Sequence, residues 1–348
     1  MILFTKMVIN YEKINSKNLI RILNGFGKAK DIRVFYLSLY LENYARTESL
    51  INLFNKNKIK LIRCQVSGKL KYFKAILKII LERKKYDLIL LAFRGHEILP
   101  ILRIFSKKPV IFDAFISIYD TLCFDRKIFK PSSLIGRFFK WCDEFLCRIS
   151  DFVLVDTKTH MKYFIREFNV PKSKIYYLYV GCNKELFKPV KIRRKDSCFT
   201  VLWYGEGLPV QGVDIILKAA KYLENYKDVT FHLIGPLRKK YYSLISKLKL
   251  SNVRFTDRIP YKDLPREIAK ANLCLGGHFS NVPKAKRVIS IKTFEFSACD
   301  KPLILGDNQA NKEIFKSDNK TIFCKMNDEK ALAEVILSFI KYNENLSH

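Results

Sequence analysis

A strand–helix–strand unit stands out in residues 273–305, LCLGGHFSNVPKAKRVISIKTFEFSACDKPLIL. The apolar runs Leu273–Leu275 and Pro302–Leu305 predict two strands, and Ile291–Cys299 predicts the helix between them. A helical crossover is the connection that neighbouring parallel strands need. This unit therefore predicts an α/β fold built on a parallel sheet.

The same alternation runs along the whole chain. A first series of predicted strands comprises Ile2–Ile9, Ile32–Leu37, Ile59–Cys64, Leu88–Phe93, Val110–Phe112, Phe152–Val155 and Ile175–Leu178. A second series comprises Phe199–Tyr204, Val229–Ile234, Val253–Phe255, Leu273–Leu275 and Pro302–Leu305. Many of these runs lack polar alternation, as in strands that are covered on both faces. We expect two doubly wound, Rossmann-like domains that face each other across a cleft.

The domain boundary is predicted in the charged, proline-containing run Phe187–Asp196. The expected domains are residues 1–188 and 197–328, followed by a C-terminal helix over 329–348. Ligands of such sheets bind at the carboxyl ends of the strands. The cleft between the two domains is therefore the expected site.

Composition limits the class of protein. The 348 residues are 49% hydrophobic, which excludes a disordered chain and provides for two cores. Lys and Arg number 64 against 33 Asp and Glu, a formal net charge of +31. Such a surface attracts phosphates of nucleotides, anionic lipids or nucleic acid.

Cysteine usage predicts the compartment. Nine cysteines form no Cys-x-x-Cys pair and lie mostly in apolar runs, which favours reduced, buried thiols in a cytoplasmic protein. The run Ile2–Ile9 is interrupted by Lys6 and predicts a strand rather than a signal peptide. No apolar run reaches the roughly 20 residues that span a bilayer, so any membrane contact is expected to be peripheral. We predict neither a metal site nor a bound cofactor.

Two common nucleotide motifs are missing from the sequence. No Gly-x-Gly-x-x-Gly follows the first predicted strand, which disfavours a dinucleotide cofactor there, and no P-loop is present. Phosphate chemistry is instead concentrated at Gly276-Gly277 and the basic loop that precedes the helix. Lys292 falls in the first turn of this helix, where a cation is unfavourable unless an anion docks there. Glu295 lies one turn further on and can accept two ribose hydroxyls. The same spacing also fits a solvated basic loop with an i, i+3 ion pair.

These residues resemble the retaining GT-B glycosyltransferases of the family 4 type, a branch of the group 1 glycosyltransferases. The resemblance covers roughly Leu88 to Glu313. The stretches that carry it are Leu202–Gly205, Gln211–Asp214, His232–Gly235, Arg258–Pro260, Gly276–His278, Lys292–Glu295, Asp300–Asp307 and, upstream, Ser150–Thr157 and Val180–Pro189.

The resemblance implies a sugar transfer from a nucleotide-sugar donor, with retention at the anomeric carbon and no required metal. The donor would bind in the second domain and the acceptor in the first. Carried over by position, Glu295 would hold the ribose, and Lys292 and Arg287 would face the diphosphate. The predicted donor-binding residues are Gly205, Gly207, Gly235, Ile259, Pro260, Gly276, Gly277, His278, Lys286, Arg287, Lys292 and Glu295.

Three positions depart from the family pattern. Arg287 stands where the first of two glutamates is usual, eight residues before Glu295. Glu206 and Gln211 stand where the glycine loop of the family has Arg and Lys. We interpret this to mean that Lys286, Arg287 and Lys292 supply the positive charge that the glycine loop supplies in the family. The alternative is an inactive site in a non-catalytic GT-B subunit.

The first domain offers two polar clusters after predicted strands, Arg94–Glu97 and Asp113–Thr121. His96 and Asp113 are the candidate catalytic residues there, beside Lys292 and Arg287. Each also fits a structural alternative, His96 as a residue that starts a helix and Asp113 as a turn or cap residue.

The helix predicted after Lys69 carries lysines and an apolar stripe of Phe73, Ile76, Leu77, Ile80 and Leu81. The default expectation is that the stripe packs on the sheet. The lysine face on the other side is then a candidate for contact with an anionic bilayer. The helix around Phe138, Phe139 and Trp141 is a second candidate for interfacial contact. We therefore expect a cytoplasmic glycosyltransferase, peripheral on the membrane, whose acceptor is lipid-linked or a glycan of a cell-surface polysaccharide or glycoprotein. A basic nucleic-acid-binding protein is the remaining alternative, although no reading module is present.

Overall fold

Two parallel six-stranded sheets organise the chain in the computed structural model, which describes residues 9–39, 45–192, 198–226 and 228–345. One unit comprises Asn10–Gly181, and the other comprises Ile9 and the chain from Cys182 onward. The predicted strand Ile2–Ile9 lies outside the described residues except for Ile9, which is not in a strand.

The N-terminal unit alternates helices and strands. Its elements are α1 (Tyr11–Asn24), β1 (Arg33–Ser38), α2 (Ala45–Lys56), β2 (Lys60–Gln65), α3 (Lys71–Leu81), β3 (Leu88–Leu91), α4 (Leu99–Phe105), β4 (Val110–Asp113), a π-helical segment (Asp120–Asp125), α5 (Leu134–Ile149), β5 (Phe152–Val155), α6 (Lys158–Glu167) and β6 (Ile175–Tyr177). The strand order is β2-β1-β3-β4-β5-β6. Helices α3 to α6 pack on one face of this sheet, and α1 and α2 pack on the other.

The C-terminal unit repeats this plan. Its elements are β7 (Phe199–Tyr204), α7 (Val213–Tyr222), β8 (Val229–Ile234), α8 (Leu237–Lys240), α9 (Tyr242–Leu248), β9 (Val253–Thr256), α10 (Leu264–Lys270), β10 (Leu273–Leu275), α11 (Ile291–Ala298), β11 (Leu303–Gly306), β12 (Thr321–Cys324) and α12 (Glu329–Asn345). Short 3₁₀ turns at Pro209–Gln211, Tyr261–Asp263, Pro283–Lys286 and Asn311–Glu313 lie in the loops. The strand order is β12-β11-β10-β7-β8-β9.

The predicted α/β class is confirmed, and eleven of the predicted strands lie within two residues of the observed ones. One strand, β12, was not predicted. It lies at the edge of the second sheet, where it pairs only with β11. Its four residues are bracketed by polar residues on both sides, so its signal is too short to stand out.

The boundary between the units lies earlier than the predicted end of the first domain at residue 188. The reason is that the segment from Cys182 packs on the C-terminal unit. Phe187 is buried and its ring meets the ring of Tyr261 edge-on at 5.2 Å. The Cys182 thiol donates a hydrogen bond to the carbonyl oxygen of Phe294. The charged run that predicted the linker therefore follows the boundary.

Only one of the five members of the predicted α3 stripe, Ile76, packs on the sheet. Helix α3 buries Ala75, Ile76 and Ile79 against it. The other four members of the predicted stripe, Phe73, Leu77, Ile80 and Leu81, are 39–71% exposed. Across the described ranges, no helix is both long and apolar enough to cross a bilayer.

Candidate active site

Four neighbouring strands of the second sheet end at glycines. Gly306 is the last residue of β11, while Gly276, Gly205 and Gly235 directly follow β10, β7 and β8. A Cβ added to Gly235 would lie 2.0 Å from the carbonyl oxygen of Gly205. A Cβ added to Gly276 would lie 2.5 Å from the Leu305 side chain. Because only glycine allows such approaches, this edge presents backbone rather than side chains to a ligand.

We expect Gly235→Ala to lower stability by roughly 1–3 kcal/mol more than a matched glycine change, because its Cβ would force the Gly205 backbone aside. The matched change is Gly27→Ala. Gly27 has φ +146°, close to the +137° of Gly235, but its Cβ would meet nothing within 4 Å. Thermal unfolding of both variants measures the difference. Equal losses would show that backbone conformation, rather than the close approach, requires glycine at 235.

Helix α11 begins beside this glycine edge. The Thr293 hydroxyl donates a hydrogen bond of 3.2 Å to the carbonyl oxygen of Gly276, which ties the first turn to the glycines. Lys292, in the same turn, is buried. Its ammonium donates to Ser290 Oγ at 3.3 Å and lies 4.9 Å from the centre of the Trp203 ring. Burial lowers the pKa of Lys292 to about 8, although the charge of Glu295 opposes the shift.

Lys292 forms no ion pair with any described residue, and two other polar atoms of this region lack a hydrogen-bond partner. His278 Nδ1 and Trp203 Nε1 are buried without a hydrogen bond. Burial, and then the charges of Lys292 and Lys284, lower the pKa of His278 to about 3. The ring is therefore neutral near pH 7. Buried polar groups are normally paired, so an unpaired ammonium at a helix N-terminus favours an anionic ligand.

Glu295 is buried one turn after Lys292, and two tyrosines hold its carboxylate. Tyr204, the last residue of β7, donates its hydroxyl to Oε2, and Tyr261 donates to Oε1. Burial, and then the charge of Glu295, raise the pKa of Tyr204 well above its usual value. The carboxylate of Glu295 is therefore held by two phenols, one on each oxygen.

The other predicted donor-binding residues lie in the loops of the same unit. Arg287 is half-buried and follows the 3₁₀ turn that contains the exposed Lys286. Ile259 and Pro260 lie between β9 and the turn that carries Tyr261. Glu206, one of the positions that depart from the family pattern, has a charged partner. Arg258 Nε donates to its carboxylate at 3.1 Å. Gly207, next to Glu206, has φ +64°.

Comparison with known proteins identifies this unit. Residues 185–348 match the family model of glycosyl transferases group 1. The matched residues make up just under half of the chain, and we call them the group 1 domain after this match. No curated protein matches the chain by sequence.

Solved structures share the fold of most of the chain. The Anabaena protein Alr3699/HepE, crystallised with UDP and glucose, is 16% identical over 90% of this chain and 91% of its own, with a TM-score of 0.66. Sucrose-phosphate synthase from Thermosynechococcus elongatus is 14% identical over 89% of this chain and 90% of its own, with a TM-score of 0.67. A Rickettsia africae glycosyltransferase is 13% identical over 89% and 88%, with a TM-score of 0.59. The two sheets therefore have the GT-B architecture.

The group 1 domain contains twelve of the fourteen residues predicted from the sequence as catalytic or donor-binding, whereas Asp113 and His96 belong to the N-terminal unit. Asp113, the last residue of β4, is fully buried and paired with Arg46 of α2. Arg46 Nη2 donates to one carboxylate oxygen at 2.9 Å and Arg46 Nε donates to the other at 3.2 Å. Burial alone would lower the pKa of Arg46, but Asp113 raises it. The structure thus gives Asp113 a charged partner within its own unit.

His96 lies in the loop after β3 and is buried. Its Nε2 donates to the carbonyl oxygen of Ile116 at 2.8 Å, and its ring meets that of Phe112 edge-on. Burial lowers its pKa to about 4, and the ring is neutral near pH 7. Asp143 lies 4.0 Å away and is bonded to Ser117, Ile118 and Tyr119.

Sequence reasoning missed several polar groups. Tyr204 and Tyr261 directly adjoin predicted donor-binding residues, Gly205 and Pro260, and this adjacency was the available signal. Asp156 and His160, joined at 2.6 Å, form a buried i, i+4 pair in the N-terminal unit. Within the described ranges, no group of three His, Cys, Asp or Glu residues could hold a metal ion.

Proposed function

We propose that the chain is a retaining, metal-independent glycosyltransferase that moves a sugar from a nucleotide-sugar donor to a membrane-associated or glycan acceptor. The group 1 domain supplies the class of reaction. The donor is a substrate, so no resident cofactor is part of the proposal. The assembly of a cell-surface polysaccharide, a lipid-linked oligosaccharide or a glycoprotein glycan at the cytoplasmic face of the membrane fits this acceptor class.

The buried ammonium of Lys292 carries the proposal. It lies in the first turn of α11, beside the glycine edge, and forms no ion pair with a described residue, although the charge of Glu295 one turn away acts on it. A buried charge is stable only when it is paired or neutralised. A diphosphate would supply the missing negative charge, and the N-terminus of α11 would add its own positive potential.

The neighbouring residues would bind the other parts of the donor. Glu295 would accept ribose hydroxyls, because its oxygens lie one turn beyond Lys292 on the same helix. Arg287 and Lys286 would add cations on the other side of the loop. The backbone near Ile259 and Pro260 would hold the base, and His278 with Gly276 and Gly277 would lie beside the sugar. The Anabaena protein was crystallised with UDP and with UDP-glucose, which supports a nucleoside diphosphate as the donor leaving group.

These residues stabilise the charge that develops as the sugar leaves. The bond between the anomeric carbon and the diphosphate breaks, and the diphosphate takes the electron pair. Preorganised cations lower this barrier most when water is excluded, and Lys292 is buried. In the retaining course, the acceptor oxygen forms its bond to the anomeric carbon on the face that the diphosphate leaves, and the departing phosphate accepts the proton of that hydroxyl. No strong protein base is then required, which fits the neutral His96 and the paired Asp113.

A thermal-shift panel tests the proposal on the full chain. Nucleoside diphosphates and their sugars should raise the melting temperature, because a ligand that binds only the native state stabilises it by mass action. The base that gives the largest shift identifies the donor, and turnover of that donor with a lipid extract tests transfer. The proposal fails if no nucleotide shifts the melting temperature while duplex or single-stranded nucleic acid does.

Glu295→Gln should weaken nucleoside diphosphate binding roughly 10- to 100-fold, because a charged acceptor for ribose hydroxyls is lost. Inorganic pyrophosphate, which has no ribose, should bind both proteins equally. Calorimetric titration of the two ligands measures this contrast. A parallel loss for both ligands would place Glu295 at the phosphates or in a structural role instead.

A non-catalytic GT-B subunit is the second candidate. The arginine at position 287, where the family has a glutamate, and the Glu206–Arg258 pair favour it. Such a subunit would bind nucleoside diphosphate yet turn over no donor in any extract.

A further inference from the structure

Three neighbouring helices of the N-terminal unit expose large apolar side chains. Helix α4 packs between α3 and α5 on one face of the first sheet. The exposed apolar residues are Leu70, Phe73, Leu77, Ile80 and Leu81 in and next to α3, Ile101, Ile104 and Phe105 on α4, and Leu134, Ile135, Phe138 and Trp141 on α5. We call these residues the apolar face. Exposed apolar residues that cluster on neighbouring helices are typical of an interaction site.

A groove runs between α3 and α4 within this face. Its volume is about 310 Å³, and it is lined by Tyr72, Phe73, Ile76, Leu77, Ile80, Ile101 and Phe105. Except for the hydroxyl of Tyr72, these side chains are entirely apolar. The groove therefore suits a hydrocarbon chain.

A cationic recess adjoins the groove. Its volume is about 570 Å³, and Ile80 and Phe105 belong to the walls of both. Four cations line the recess, namely Arg83, Lys84, Lys107 and Lys108, and no carboxylate lines it. The sequences of α3 and α4 contain no Asp or Glu. Glu82 and Glu97 flank the two helices in sequence, and Glu97 accepts a hydrogen bond from Tyr72. Asp151 pairs with Arg103 of α4, and the charge of Lys108 acts on Asp87.

We propose that the apolar face docks on an anionic bilayer, with the cationic recess holding lipid phosphates and the groove receiving an acyl chain. The positive charge of the recess favours an anionic bilayer over a second copy of the chain. A second copy of the chain would bring cations against cations, whereas an anionic lipid complements an apolar patch edged by lysines. The inference deepens the proposed function, on which it rests for a membrane-associated acceptor, but its test needs no donor.

The two tryptophans give a direct optical test. The chain has only Trp141 and Trp203. Trp141 is 52% exposed on the apolar face, whereas Trp203 is fully buried in the group 1 domain. Adding vesicles of phosphatidylcholine with phosphatidylglycerol should therefore blue-shift the emission through Trp141. Vesicles of phosphatidylcholine alone should produce little shift, and flotation of the full chain should show the same preference.

Variants separate docking from general charge attraction. Lys84→Gln/Lys107→Gln should lower binding to the anionic vesicles about fivefold per cation. The matched control is Lys239→Gln/Lys247→Gln, which removes the same charge from exposed lysines of the other unit and should bind as the unaltered protein does. Phe73→Ser/Leu81→Ser should abolish the Trp141 shift.

The proposal is overturned if both lysine pairs have equal effects, or if Phe73→Ser/Leu81→Ser keeps full binding. It is also overturned if that variant dissociates a dimer while vesicles leave Trp141 unchanged, because the face would then join two copies. Nucleoside diphosphate shifts should persist in every face variant. Vesicle binding without any nucleotide response would leave docking intact and refute the proposed function alone.

Discussion

Lys292→Met should melt at a higher temperature than the unaltered protein and yet lose its response to nucleoside diphosphate. Burial lowers the pKa of Lys292 to about 8 from 10.5, so carrying its charge in the folded protein costs roughly 3 kcal/mol. Methionine fills a similar volume without charge. The gain in unfolding free energy should reach a few kcal/mol at most, because the contacts with Ser290 and Trp203 are lost.

Diphosphate affinity should fall in the same variant. One charge-assisted hydrogen bond to phosphate accounts for roughly a 10- to 150-fold change in affinity. Lys316→Met, at an exposed position of the same unit, is the control and should change neither property. A Lys292→Met protein that melts lower and still binds diphosphate would rule out an anion site at this lysine.

The pH dependence of these effects has a definite sign. The folded-state pKa of Lys292 lies below its unfolded value, so the cost of its charge is fully present below about pH 8. This cost falls as the pH rises from 8 towards 10.5. In that window the lysine is neutral in the folded protein, and the proton that it still binds in the unfolded chain stabilises the unfolded state less and less. The stability gap between Lys292→Met and the unaltered protein should close over this window. Diphosphate affinity of the unaltered protein should fall as the pH rises through 8.

Asp113→Ala should lower the free energy of unfolding by about 3–5 kcal/mol, because it leaves the guanidinium of Arg46 buried without its partner. Both side chains are fully buried, so water cannot replace the lost carboxylate. Chemical denaturation of the full chain measures the loss.

A double variant separates this structural effect from a catalytic role. Arg46→Met/Asp113→Leu replaces the ion pair with apolar side chains of similar size and should recover most of the stability. If Asp113→Ala unfolds like the unaltered protein while donor turnover disappears, the sequence-based hypothesis of a catalytic Asp113 is the better one.

The fold was predictable because it depends on local patterns. Strands such as β3 and β7 are buried on both faces, and their uninterrupted apolar runs are hard to mistake. The exposed stripe of α3 was not predictable in the same way. A helical period of apolar residues indicates that a face will be covered, but it does not say whether the sheet or another surface covers it.

Only the parts of the candidate site that are formed by residues close together in the sequence were predictable. Glycines after strands and the Lys292–Glu295 spacing identified the edge of the second sheet and the helix that begins there. The partners of these residues come from distant parts of the chain. Tyr204 is 91 residues from Glu295, and Arg46 is 67 residues from Asp113, so no local pattern could reveal either contact.

The two tyrosine hydroxyls that bind Glu295 would lower the entropic cost of binding a ligand at this carboxylate. A free glutamate loses up to about 1.5–2 kcal/mol of rotamer freedom when it is immobilised. Here two phenols already fix the carboxylate during folding, so an arriving hydroxyl meets an acceptor that needs no further ordering. Removing one phenol should therefore weaken ligand binding, and Tyr261, a residue that is 39% exposed, is the phenol that can be replaced with least disturbance.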